Sequence, residues 1–252
     1  MSDIPKKLYM ARFPVDQRRL YEFARRRGIS LDVSDAGYTL HCILTELFGP
    51  EFAPKPYAAQ PATGAILPVL AYTGLTKNEL EARAKECSIN GTYSLVDWNG
   101  FSVKAMPAHW LAGRQFGFEV RVCPVERKNK AGEFNRHAGA EVDVYLGHVF
   151  KHKKDIDRGM VYGQWTKSMM EKPLPEHAQA VRVIEITTRG FRRVTFIRRD
   201  RDRKAVSKER PEAFVTGILE VADSAAFAAL LQRGIGRHRA FGFGMLLLKP
   251  VD

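Results

Sequence analysis

Residues 232–250 read QRGIGRHRAFGFGMLLLKP, with Gly234, Gly236, Gly242 and Gly244 around Arg237, His238 and Arg239, directly before an apolar run. Glycines this dense serve a backbone that must turn sharply or approach another group closely. The dinucleotide-binding and P-loop forms of such a loop need a strand before the glycines and a helix after them, so that a helix N-terminus faces phosphate. Here the order is reversed. A helix over 224–233, capped by Asp223, ends at Gly234, and a strand follows Gly244. The helix end that meets the loop carries the negative end of its dipole. Any affinity for anions must therefore come from loop N–H groups and from Arg237, His238 and Arg239.

The rest of the chain supplies the partners for this closing unit. KLYMARF (7–13) reads as a first strand and 16–27 as a short helix or polar excursion. Ser34 or Asp35 is expected to cap a helix that runs to Phe48, where Gly49-Pro50 stops it. Leu40, Ile43, Leu44 and Leu47 recur at helical spacing and form its buried stripe. Tyr38, His41 and Thr45 lie roughly 110 to 170° around the helix from that stripe, on a face the core does not use. After a Pro-rich loop come a strand at 65–72, a Thr76-capped helix to Cys87 and a strand at 113–125.

The second half repeats this rhythm. A strand or linker at 141–150 is expected before a helix at 155–171. A strand at 180–188, a turn at Arg189-Gly190, strands at 191–198 and 213–221, and the closing unit complete it. Strand, helix, two strands, helix, strand is the order of a ferredoxin-like unit. The fold class is thus α+β: two tandem ferredoxin-like, RRM-like units with a basic β-hairpin and a C-terminal Gly-rich loop. The polar, Gly-containing stretch 126–140 places the boundary between a domain over 1–128 and one over 129–252.

Charge narrows the partners. The chain carries a net charge of +12, and residues 189–204, RGFRRVTFIRRDRDRK, supply half of it with seven Arg and one Lys against two Asp. Arg189, Arg192, Arg193, Arg198, Arg199 and Arg201 interleave with Phe191, Val194, Phe196 and Ile197, the pattern of a ribbon with one packed face. A polyanion, nucleic acid first, is the partner class. Arg25, Arg26 and Arg27 either extend the track or form a solvated helix end. The first residues lack a signal-peptide core, and neither a membrane span nor a basic amphipathic helix is visible, so a cytoplasmic protein without a membrane partner is expected. Cys42, Cys87 and Cys123 are widely spaced and read as reduced, mostly buried thiols. His148 and His152 lack the glutamate of a zinc-protease helix, and Asp155 and Asp157 sit among lysines, so neither a metal site nor a cofactor is expected.

The glycine pattern, followed by its apolar strand, resembles the C-terminal signature of the RAMP proteins of CRISPR systems, in particular their repeat-processing endoribonucleases of the CasE-like subgroup or its type IV counterpart. Three further blocks follow that family's order: GYTLHCILTELFG with Tyr38 and His41, FGFEVRVCPVERK, and FVTGILEVADSAAFAALL. Together they cover about half the chain. Segment 141–180 and the Pro-rich loop fall outside the resemblance. The resemblance implies that Tyr38 and His41 are catalytic and that the arginine ribbon and Arg237, His238 and Arg239 bind RNA. Implied partners are a CRISPR repeat stem-loop, the mature crRNA and other effector-complex subunits. RNA carries its own nucleophile in the 2'-OH, so cleavage needs an acid, a base and cations rather than a metal, and leaves a 2',3'-cyclic phosphate and a 5'-OH. Whether His41 is the base or the acid stays open, as do a noncatalytic RNA-binding subunit of such a complex and an RNA-binding module outside CRISPR.

Overall fold

The structure, a computed structural model, describes residues 7–29, 36–89, 91–127, 139–152, 156–199 and 205–251. Alternation in YMARFPVD builds β1 (Tyr9–Asp16), which buries Ala11, Phe13 and Val15. Asp16 then caps α1 (Gln17–Arg26) by accepting from the Arg19 N–H at 3.0 Å. In α2 (Gly37–Phe48) the expected stripe of Leu40, Ile43, Leu44 and Leu47 is buried. Strands β2 (Tyr57–Ala59) and β3 (Ile66–Thr73), helix α3 (Lys77–Cys87) and β4 (Ser102–Ala105) complete the first unit. Its sheet is antiparallel in the order β2-β3-β1-β4, the ferredoxin-like arrangement.

Thr76 caps α3 as its sequence position predicts. The Thr76 hydroxyl accepts from the Glu79 N–H at 3.4 Å, and the Glu79 carboxylate accepts from the Thr76 N–H at 2.7 Å, a reciprocal capping box. Thr76→Ala is expected to lower the thermal midpoint by roughly 2–4 °C, measured by circular dichroism; Thr76→Ser should restore it.

The second unit repeats the plan with one insertion. Its elements are β5 (Gln115–Val122), β6 (Val125–Arg127), β7 (Glu141–Asp143), α4 (Val144–His152), α5 (Arg158–Glu171), β8 (Val181–Arg199), β9 (Ala205–Val221), α6 (Ser224–Arg233) and β10 (Leu246–Lys249). The sheet order β10-β5-β9-β8 matches the first sheet, strand for strand. β6 and β7 pair with each other, Val125 opposite Asp143. The 141–150 stretch thus becomes a short strand followed by a helix.

Two expectations are corrected by strand pairing. β5, expected in the first unit, pairs with β9 and with β10, so sheet membership changes within 106–114 rather than at 128/129. The polar stretch that suggested a boundary instead joins β6 to β7 inside the second unit. The turn expected at Arg189-Gly190 is also absent: β8 runs through it with register shifts at Val183/Glu185 and Thr188/Gly190. A bulge absorbs Arg189, while Gly190 pairs with Phe214, and the charged segment becomes the outer half of one long β8–β9 hairpin.

The units share apolar surface. The first has its own core around Phe13, Leu40, Ile43 and Phe101. The other face of its sheet, through Leu8 and Tyr72, joins the core of the second unit with Phe227, Leu230 and Leu246. The buried Tyr72 hydroxyl donates to the Leu246 carbonyl at 2.9 Å, tying β3 to β10, and burial pushes its pKa up. Among the three thiols Cys123 is buried, whereas Cys42 and Cys87 are partly exposed. Among the described residues no helix is long and apolar enough to cross a membrane.

Candidate functional site

The Gly-rich loop is folded onto α2 by two devices. First, its ends are clipped together: the Ile235 N–H donates to the Gly244 carbonyl at 2.8 Å, and the Gly244 N–H donates to the Arg121 carbonyl at 2.7 Å. Phe243 is fully buried with Cys123, Val125 and Val194, which anchors the loop's exit. Second, Tyr57 staples the loop to the helix. Its buried hydroxyl lies 2.6 Å from the Gly37 carbonyl in the first turn of α2 and 3.1 Å from the Ala240 carbonyl in the loop.

Phe241 is thereby held among the candidate catalytic rings. Its ring centroid is 6.1 Å from Tyr38, 5.1 Å from His41 in an edge-on contact, and 6.1 Å from His238. Tyr38 and His41 are 6.4 Å apart, centroid to centroid, on the partly exposed face of α2. The expected cap residues Ser34 and Asp35 lie outside the described residues, and Ala36 holds the N-cap position without a side-chain bond. Burial, and then the nearby Lys55 cation, lower the pKa of His41, which favours the neutral imidazole.

Tyr38, Lys55 and Phe241 line a cleft of about 1710 Å³, whose walls also carry Arg193, Arg237, His238 and Arg239. His41 stands beside this cleft, against the edge of Phe241, rather than in its lining. Arg237 and His238 of the loop are held by a carboxylate that the sequence did not single out. Glu141 of β7, only 9% exposed, accepts from Arg237 at 2.7 Å, from Arg210 at 2.8 Å and from His238 at 3.1 Å. Its pKa is held far below the usual carboxylate range, chiefly by the His238 hydrogen bond and further by Arg237 and Arg210, against the opposing effect of burial. Arg239 donates to the Arg233 carbonyl, and burial lowers its pKa.

The hairpin arginines do not all face one way. Adjacent strand residues point to opposite faces, and Arg193 lines the cleft while Arg192 turns away to the fully buried Glu212, which Arg121 also reaches. Arg193 pairs with Glu209 at 3.1 Å, and Arg189 donates to the Thr216 hydroxyl at 3.0 Å. The side chains of Arg198 and Arg199, and Arg201 altogether, lie outside the described residues. Of the expected RNA-binding set, the structure thus brings Arg193, Arg237, His238 and Arg239 to the cleft. Lys55, Tyr57 and Glu141 are additions that no local motif marks, and Phe241, though inside the glycine motif, is not singled out within it.

The sequence profile of the CRISPR associated protein family matches residues 8–250, nearly the whole chain. The chain belongs to that CRISPR-associated family. The resemblance seen in the glycine loop and the Tyr38/His41 helix is borne out at family level, and so is the tandem ferredoxin-like fold. Among curated proteins, no sequence matches the chain. Solved structures share the fold at low identity. Cse3 of Thermus thermophilus, bound to an RNA representing a pre-cleavage complex, superposes with a TM-score of 0.58 at 19% identity, covering 97% of this chain and 100% of that one. The CRISPR endoribonuclease Cse3 bound to 19 nt RNA gives 0.59 at 19% identity, with 96% and 100% covered. A chain of a CRISPR RNA-guided surveillance complex in a pre-nicking state gives 0.54 at 13% identity, with 96% and 100% covered.

Proposed function

We propose that the protein is a metal-independent endoribonuclease that cuts CRISPR precursor RNA at the 3' base of a repeat stem-loop and retains the mature crRNA within an effector complex. The observation that carries this reading is the placement of Tyr38 and His41 beside a cleft lined by Lys55, Arg193, Arg237 and Arg239. The family match, and the RNA, endoribonuclease and surveillance complex named for structures of the same fold, support it.

The lowered pKa of His41 favours the base over the acid among the two roles open to it. The neutral imidazole takes the 2'-OH proton, the 2'-oxygen attacks phosphorus, and the bond to the 5'-oxygen breaks. The leaving oxygen gains a proton, and the products are a 2',3'-cyclic phosphate and a 5'-OH. Tyr38, one helical turn from His41, orients the nucleophile or the leaving oxygen. Lys55 and the loop cations face the charge that develops on the phosphoryl oxygens.

The test is cleavage of repeat RNA in EDTA, with and without a 2'-deoxy substitution at the scissile nucleotide. The unmodified RNA should be cut to a cyclic-phosphate end, and the 2'-deoxy RNA should bind but stay intact. Cutting of the deoxy RNA would sink 2'-OH attack, and loss of cutting in EDTA would sink metal independence. Binding without any cutting would favour a noncatalytic subunit. Each phosphate neutralised should add about 0.7–0.9 to the salt slope of binding.

A further inference from the structure

Helix α5 presents two faces of different character. Tyr162, Gly163, Thr166 and Met170 are buried against the second sheet. Trp165, Ser168, Met169 and Lys172, at i, i+3, i+4 and i+7, line the cleft. The other two tryptophans are committed elsewhere: the Trp98 indole donates to the Tyr93 carbonyl at 2.8 Å, and Trp110 is 7% exposed in the core. Trp165 is only partly buried. Part of its indole packs on the second core and part bounds the cleft.

The Gly-rich loop fixes this indole. A Cβ placed on Gly236, which has φ +72°, would meet the Cη2 atom of Trp165 at 2.8 Å, so the loop backbone lies against the ring edge and a side chain there would push the ring aside. Lys172, Arg233 and Arg237 line the same cleft. At about 1710 Å³ it exceeds the roughly 300–1,000 Å³ of a small-ligand pocket. A partly exposed indole beside several cations in an extended basic cleft suits a chain with flat apolar rings and regularly spaced phosphates.

We propose that Trp165 is a stacking platform for one unpaired nucleobase of the bound RNA, in the single-stranded flank next to the stem. Paired bases keep their faces inside the duplex, so a protein ring can stack only on a base that is splayed out. The platform rests on the RNA-processing reading above and adds to it a residue that senses the flank rather than the stem. It also gives Gly236 a task distinct from turning the chain, since the glycine sets the orientation of the ring.

The experiment compares the dissociation constants of two repeat hairpins, one with its single-stranded flank and one blunt, for the full-length protein and for Trp165→Leu and Trp165→Phe. Leucine fills the site without a π face, whereas phenylalanine keeps one. Trp165→Leu should weaken binding of the flanked RNA about five- to hundredfold and leave the blunt RNA unchanged, while Trp165→Phe keeps most of the affinity. 2-Aminopurine placed at successive flank positions should be quenched at one of them by the wild type and not by Trp165→Leu. Equal losses on both RNAs, or quenching at no position, would overturn the platform while cleavage by the wild type leaves the functional reading standing. Failure of the wild type to bind either hairpin would overturn both.

Discussion

His41→Ala is expected to lower the single-turnover rate of repeat cleavage by about 10²–10⁴-fold and to leave the affinity for uncleavable 2'-deoxy RNA unchanged. The split follows from position: His41 stands beside the cleft against Phe241, whereas the cations that line the cleft belong to other elements. Tyr38→Phe should cost less, because the ring and its packing on Phe241 survive and only the hydroxyl is lost. The pH profile gives an independent readout. Burial first, then Lys55, disfavour the imidazolium, so the acid limb of the rate should lie below the ordinary histidine value of about 6.5. Removing the cation with Lys55→Ala should move that limb up toward it. Stability carries the same sign: the folded state takes up the His41 proton less readily than the unfolded chain does. The protein therefore loses stability as pH falls through the unfolded pKa, and His41→Ala removes that loss. Full-rate cutting by His41→Ala would end the catalytic assignment.

What the sequence could convey differs along the chain in a regular way. Features carried within one or two turns were readable: the buried stripe of α2, the Thr76 and Asp223 caps, and the helix–glycine–strand order around Gly234 and Gly244. Features decided by pairing at a distance were not. β5 looks the same whichever sheet it joins, and only its register with β9 and β10 assigns it to the second unit. Arg189-Gly190 carries turn chemistry, yet the opposing strand extends past it, and continuous pairing with 213–215 turns it into a bulge. The candidate site shows the same division. The family resemblance brought out Tyr38 and His41, and helical spacing put them on one face, but the Tyr57 hydroxyl that joins their helix to Ala240 acts across a separation of 183 residues. Glu141 sits in a stretch too short and polar to read, and its partners Arg210, Arg237 and His238 come from two other segments. A run of arginines gives the sign of a surface. The counter-charges that divide Arg192 from Arg193 belong to β9.

Gly244→Ala should be the most damaging small substitution in the loop. A Cβ at this position would lie 2.2 Å from the Ile235 carbonyl oxygen and 2.9 Å from its nitrogen, both backbone atoms that cannot rotate aside. The residue also has φ +77°, which an L side chain tolerates poorly. Backbone strain of this kind costs about 1–3 kcal/mol, and overpacking a closed site adds about 1–3 kcal/mol. The sum corresponds to a fall in thermal midpoint on the order of 10 °C for a chain of this size. Gly64→Ala separates the two contributions: Gly64 has φ +59° and nothing within 4 Å of the added Cβ, so it carries the strain alone. The functional consequence exceeds the loss of stability. Relief of the clash has to part Ile235 from Gly244, the pair whose 2.8 Å bond closes the loop. Phe241 then loses its fixed place against Tyr38 and His41, and Arg237 and His238 lose theirs on Glu141. At a temperature where both variants remain folded, Gly244→Ala should cut repeat RNA far more slowly than Gly64→Ala. Equal rates for the two would show that the closed loop holds the fold but does not arrange the cleft.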